Sequence, residues 1–146
     1  MEWLPEDRAR AEGVESENAE WQAYLSRFIK ALNSFPELPP LLQAAAPVLF
    51  QYHITDRPEM NYWQLFEKDM IRWGMGENTQ STAPRVIHKT NFATIKKVNS
   101  GELDPVSATM AGQYFIEGDF GKLMVCAPLL PLNPRAHSIA ISSAVK

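Results

Sequence analysis

Apolar residues recur at intervals of three and four from Trp21 through Tyr24, Leu25, Phe28 and Ile29 to Leu32. Gln22, Ser26, Arg27 and Lys30 take the other side, so the spacing predicts an amphipathic helix lying on an apolar surface. Upstream, Pro5 to Glu12 predicts a short charged helix, with proline at its first position, Glu6 and Asp7 in its first turn and Gly13 after its end. It has little apolar surface of its own and is expected to fray or to dock on a partner. Asn33 and Pro36 end the amphipathic helix, and Leu41 to Ala46 predicts a second short one stopped by Pro47.

The period then changes from helix to strand. Val48, Phe50, Tyr52 and Ile54 alternate with Leu49, Gln51, His53 and Thr55, and Asp56 to Glu59 supplies a turn. Met60 to Phe66 and Met70 to Met75 read as a hairpin that continues an antiparallel meander. Gly76 to Thr82 is a polar loop, Arg85 to Lys89 a fourth strand, and Thr90 or Asn91 caps a helix with Phe92, Ile95 and Val98 on one face.

The stretch from Asn99 to Leu123 holds four of the chain's seven glycines, placed where the direction must change. Gly101 ends one helix, Asp104-Pro105 opens the next and Gly112 ends it. Gln113 to Glu117 gives a fifth strand, and Gly118-Asp119 turns it into a helix bearing Phe120, Leu123, Met124 and Ala127. The prolines from Pro128 to Pro134 are expected to stop that helix and leave an apolar tail along the body, with only a brief Ile139/Ile141 alternation beyond Arg135.

At 146 residues and 45% hydrophobic composition the chain is expected to form a single domain, residues 1–146, with a leader over 1–18, a body over 19–132 and a tail over 133–146. Charged residues are interspersed and the net charge is −3, so there is no basic footprint for nucleic acid. Cys126 is the only cysteine, which excludes an intrachain disulfide and a cysteine-based metal cluster; it reads as a small buried hydrophobe. No secretory signal and no membrane-spanning run are visible, and the expectation is a soluble cytoplasmic protein.

Catalytic motifs are missing. His53, His88 and His137 are far apart with no metal-ligand spacing, each reading as a surface or strand histidine. Trp73-Gly74-Met75-Gly76 lacks the third glycine and the helix of a dinucleotide turn, and Gly121-Lys122 is not a phosphate loop. No serine sits in a nucleophile elbow, and Asp119 is explained by capping. No catalytic residue, metal site or cofactor is therefore assigned.

The hairpin between Trp63 and Trp73, the helix ending at Gly101, the run Gly101-Glu-Leu-Asp-Pro105, Ala111-Gly112, Gly118-Asp119 and Lys122-Leu123 together resemble the sterol carrier protein type 2 family of lipid-binding domains. The resemblance covers roughly residues 21–132 and rests on turns and caps rather than on chemistry. It implies an α+β fold, a five-stranded mostly antiparallel sheet covered by helices, with an apolar tunnel between them. It further implies non-enzymatic binding and transfer of a lipid-like ligand: a fatty acid, an acyl chain or a sterol-like molecule. Phe66, Trp73, Phe92, Ile95, Met110, Tyr114, Leu123, Met124 and Ala127 are the expected lining, with the Tyr114 hydroxyl or Arg72 as head-group partner. Spacing alone does not distinguish a lined cavity from a packed core. The alternative is an interaction domain, its core filled by aromatics, that docks on a protein partner or forms a homodimer; a small enzyme acting inside the same cavity is a third possibility.

Overall fold

The computed structural model describes residues 5–144, with side chains from residue 15 to residue 143. The first helix, α1 (Pro5–Ser34), is 30 residues long and runs straight through Gly13, where the sequence predicts a break. A glycine inside a helix costs only about 1 kcal/mol relative to alanine, and the helix continues into a strongly anchored half. There Trp21, Leu25, Phe28, Ile29 and Leu32 are all buried. After α2 (Leu38–Ala45) and a cis peptide bond at Ala46-Pro47 the chain enters the sheet.

The strands are β1 (Val48–Ile54), β2 (Tyr62–Phe66), β3 (Ile71–Met75), β4 (Arg85–Thr90) and β5 (Tyr114–Gly118), in the spatial order β3-β2-β1-β4-β5. Three of the pairings are antiparallel, but β4 joins β1 in parallel, so the meander expected from the sequence is broken by a crossover after β3. The fold is thus α+β with a five-stranded, mostly antiparallel sheet. The crossover loop covers the outer face of β1. Gln51, fully buried, donates from Nε2 to the carbonyls of Tyr62 (3.1 Å) and Gly76 (3.0 Å) and accepts from the Asn78 N–H (3.0 Å). Leu49 and Gln51 on the outer face are as buried as Val48 on the inner one.

The inner face carries Phe50 and Tyr52 of β1, Tyr62, Gln64 and Phe66 of β2, His88 of β4, and Tyr114 and Ile116 of β5, following the register between strands. The helices that cover it are α1, α2, α3 (Phe92–Ser100), α4 (Pro105–Met110), α5 (Phe120–Val125) and α6 (Leu132–Ala144). The sequence reading leaves α6 as an extended tail, and the structure corrects it. Pro134 falls in the first turn of α6, where a missing N–H removes no intrahelical bond. Ala136 and Ala140 give α6 a buried, close-fitting face against α1. Arg27 Nε donates to the Ala140 carbonyl (2.8 Å), and the Tyr24 hydroxyl bonds His137 Nδ1 (2.7 Å) across the same seam. Among the described residues, no helix is long and apolar enough to cross a membrane.

Candidate functional site

Between the sheet and the helices lies a mainly apolar hollow of about 290 Å³. Its floor is the inner face of the sheet, with Phe50, Tyr52, Gln64, Phe66, His88, Tyr114 and Ile116. Leu32, Leu38, Ile95 and Val98 form helical walls, and Leu123, Cys126, Ala127 and Leu129 close the side next to α2. At the rim the apolar residues Val106 (64% exposed), Met124 (71%) and Leu130 (44%) face solvent, which marks the open side.

Local chemistry places these walls. Asn91 caps α3 by accepting from the Thr94 N–H, and the left-handed Gly101 ends it. The Asp104 carboxylate accepts from the Ser107 N–H (3.1 Å) to start α4, and the Asp119 carboxylate accepts from the Lys122 N–H (2.9 Å) to start α5. Gly118 makes the turn out of β5 with φ +107°, and a Cβ there would lie 2.3 Å from the Arg85 carbonyl oxygen. Only glycine meets both demands. Lys122 then reaches back to donate to the Ala45 carbonyl (3.0 Å), tying α5 to α2 across the hollow's edge.

The floor is aromatic and closely stacked. Tyr52 lies flat between Tyr62 (ring centroids 4.4 Å) and His88 (4.5 Å), and Phe50 packs on Phe66 (4.8 Å) and His88 (4.6 Å). His88 Nδ1 is 2.7 Å from the Tyr114 hydroxyl, whereas Nε2 on the opposite edge is buried and has no hydrogen-bond partner among the described residues. The amide of Asn99 neighbours the Tyr24 and Tyr62 hydroxyls, but its Nδ2 closes no hydrogen bond of good geometry. Burial pushes His88 down to about 3 and the Cys126 thiol up to about 11, and it raises the Tyr52, Tyr62 and Tyr114 phenols well above their usual range. These groups are uncharged near neutrality. No cluster of three or more histidine, cysteine, aspartate or glutamate side chains able to hold a metal occurs among the described residues.

Of the nine expected lining residues, the hollow brings together Phe66, Ile95, Tyr114, Leu123, Met124 and Ala127. The other three lie outside its wall. Trp73 is opposite Gln64 on the edge strand and half-buried. Phe92 faces away, edge-on to Trp21 (5.1 Å) with Lys96 Nζ 4.4 Å over its ring. Met110 is 85% exposed because α4 turns its side chain to solvent. Arg72 pairs with Leu65 on the outer face and reaches Glu67 (3.6 Å), so it has no access to the hollow. Sequence reasoning missed Phe50, Tyr52, Gln64, His88 and Asn99 as lining. For His88 a signal existed: Arg85, Ile87 and Lys89 share one parity of β4, and two charges there direct Val86, His88 and Thr90 inward.

Several solved structures share this fold. A UbiJ-SCP2 ubiquinone synthesis protein superposes with a TM-score of 0.57 at 14% identity, covering 74% of this chain and 90% of that one. Sterol carrier protein domain 2 of Helicoverpa armigera gives 0.54 at 17% identity, over 76% of this chain and 85% of the other. The apo form of sterol carrier protein 2 from Yarrowia lipolytica gives 0.51 at 14% identity, over 75% and 88%. At such identities these similarities establish the fold alone. A search of curated protein sequences finds no match. The family model described as the SCP-2 sterol transfer family matches residues 27–131, which is most of the chain and includes the whole sheet and helices α2 to α5. By that match the chain belongs to the SCP-2 sterol transfer family.

Proposed function

We propose that this protein is a non-enzymatic carrier that holds one small or single-chain apolar molecule in the hollow between sheet and helices. The observation that supports this best is the wall itself: an apolar enclosure open on one side, whose titratable groups are all kept neutral by burial. Membership of the SCP-2 family, with its general role in lipid binding and transfer, supports the same reading. At about 290 Å³ the space is at the small end of ligand pockets, which typically run from ~300 to ~1,000 Å³. A single acyl-type chain suits it better than a bulky ring system. Each buried methylene contributes about 0.8 kcal/mol, so ten of them give roughly 8 kcal/mol before the cost of immobilisation.

The filled-core alternative requires the chain's aromatics to occupy the hollow. Trp63 and Phe115 lie on the outer face and Phe120 is 57% exposed, whereas Phe50, Tyr52, Phe66 and Tyr114 line the floor and leave about 290 Å³ beside them, which favours the carrier reading. The test is displacement of the apolar dye Nile red by a fatty-acid series. Saturable displacement that strengthens with chain length and disappears in Ile116→Trp, which plugs the floor, is expected. Failure of every chain length to displace a bound dye, or no dye binding at all, contradicts the carrier reading.

A further inference from the structure

Two glutamines are buried in the sheet, and their amides are engaged very differently. Gln51, on the outer face of β1, uses both ends of its amide on backbone partners. Gln64, on the inner face of β2, is 5% exposed and lines the hollow, yet its amide has no hydrogen-bond partner among the described residues. It is not shut off either. The unpaired polar atoms of the same wall that are sealed in are His88 Nε2 and Asn99 Nδ2, whereas the Gln64 amide keeps accessible surface, and that surface opens on the hollow. The alternation of β2 puts Gln64 between Tyr62 and Phe66 on one face, where a methionine or leucine would pack with no polar group to satisfy. A buried amide without a partner costs stability, so its presence is accounted for by what the hollow takes in.

Resting on the carrier reading, we infer that Gln64 recognises the head of the bound molecule, which carries a neutral group with an acceptor oxygen beside a donor hydrogen and lies with that group innermost. A carboxamide, an un-ionised carboxylic acid and an alcohol have this chemistry. A glutamine amide presents an N–H donor and a carbonyl acceptor whichever way it is turned, so both functions are on offer in either orientation. Charge is disfavoured, because no aspartate, glutamate, lysine or arginine lines the hollow. An ionised head beside Gln64 would lose its hydration with no counter-charge to offset the loss. Position sets the direction of binding. Strands β1 and β4 separate β2 from β5, on which α4 and its rim residue Val106 pack, and at strand spacing Gln64 is on the order of 14 Å from that edge. Phe66, Ile71 and Leu38 on the β2 side are buried, whereas Val106 and Met124 at the rim are exposed. The apolar chain therefore runs from Gln64 toward the rim. Hydrocarbon walls set affinity by chain length, and Gln64 sets which head group is accepted.

The test uses three ligands of one chain length and one head shape: a long-chain primary carboxamide, the methyl ketone in which CH3 replaces NH2, and the methylidene analogue in which =CH2 also replaces the oxygen. They offer a donor with an acceptor, an acceptor alone, and neither. Each is titrated by Nile red displacement into the wild type and into Gln64→Met, which keeps an unbranched side chain of similar length. Comparing affinity ratios between the two proteins cancels the ligands' different costs of leaving water. The carboxamide-to-methylidene ratio is expected to fall about tenfold or more in Gln64→Met, and the ketone-to-methylidene ratio to fall by less. Unchanged ratios, with all three ligands still displacing dye, overturn the inference and leave the carrier reading intact. Displacement by none of the three in the wild type overturns both. NMR of the side-chain amides needs no variant: the Gln64 NH2 signals of the wild type are expected to shift more with the carboxamide and the ketone than with the methylidene compound. Equal shifts with all three overturn the assignment.

Discussion

The Tyr114 hydroxyl and His88 Nδ1 lie 2.7 Å apart, joining neighbouring strands diagonally across the floor of the hollow. Among the described residues the phenol is the imidazole's sole hydrogen-bond partner, and both residues are almost fully buried. Tyr114→Phe would leave Nδ1 buried and unpaired without opening a cavity. A loss of about 1 to 3 kcal/mol in unfolding free energy is expected, read from denaturant midpoints at unchanged slope. No loss would show that the bond contributes nothing.

The same burial sets a pH dependence. In the folded chain His88 is held down to about 3, against 6.5 for the free side chain. Below 6.5 the unfolded chain takes up a proton that the folded chain refuses, so stability falls with pH until the folded imidazole also protonates near 3. The slope from this one group approaches about 1.4 kcal/mol per pH unit. Carboxylates add acid sensitivity of their own, and His137, also shifted down by burial, acts in the same direction. The diagnostic is therefore the difference between wild type and His88→Phe, whose stability curve is expected to be flatter across this window. Parallel curves would contradict the neutral, buried assignment.

Two glycines with positive φ separate backbone strain from collision. At Gly76 (φ +82°) an added Cβ meets nothing within 4 Å, so Gly76→Ala is expected to cost about 1 to 2 kcal/mol, the left-handed penalty alone. At Gly118 (φ +107°) the same methyl would strike the Arg85 carbonyl, where β4 and β5 are paired. Gly118→Ala is expected to cost clearly more and to loosen the start of α5. Equal melting-temperature losses for the two variants would show that the collision is relieved without cost.

Gln51 fastens the crossover loop to the buried outer face of β1. Gln51→Leu keeps the volume but leaves the Asn78 N–H and the Gly76 carbonyl without their side-chain partner. A loss of roughly 2 kcal/mol or more is expected from unsatisfied buried groups, with faster hydrogen exchange at Asn78. Unchanged exchange there would show that the loop is held by other contacts.

How much of this was legible beforehand varied with the kind of signal. Caps and stops are local chemistry, and Asn91, Gly101, Asp104, Gly118 and Asp119 act where their residue types indicate. Strand spans were legible from alternation, but strand order was not. That β4 lies beside β1 in parallel depends on a crossover stabilised by Gln51, a long-range contact that no local pattern encodes. Helix α6 was hidden because Pro134 reads as a breaker unless it is known to fall in a first turn. The lining suffered from the same limit. Phe66, Tyr114 and Leu123 share the face that the period indicates, whereas Phe92 and Met110 sit on helices whose rotation is set by packing against α1 and by exposure at the rim. Alternation marks Phe50 and Tyr52 as strand residues of one face; their place in the floor follows only from the central position of β1.

The hollow also makes a packing prediction. Ile116→Trp places an indole over the floor from the edge strand, where half-exposure leaves room for adjustment. The variant is expected to remain folded, within about 1 to 3 kcal/mol of wild type, by circular dichroism and melting, while losing dye uptake. Normal uptake by a folded variant would place the dye elsewhere.

Native mass spectrometry, applied to the protein purified without detergent and then challenged with a long-chain methyl ketone, tests the carrier claim most directly. One apolar molecule per chain, either co-purified or taken up from the challenge and absent from Ile116→Trp, is the result predicted. A bare chain mass before and after the challenge, or identical adducts on the plugged variant, would contradict it.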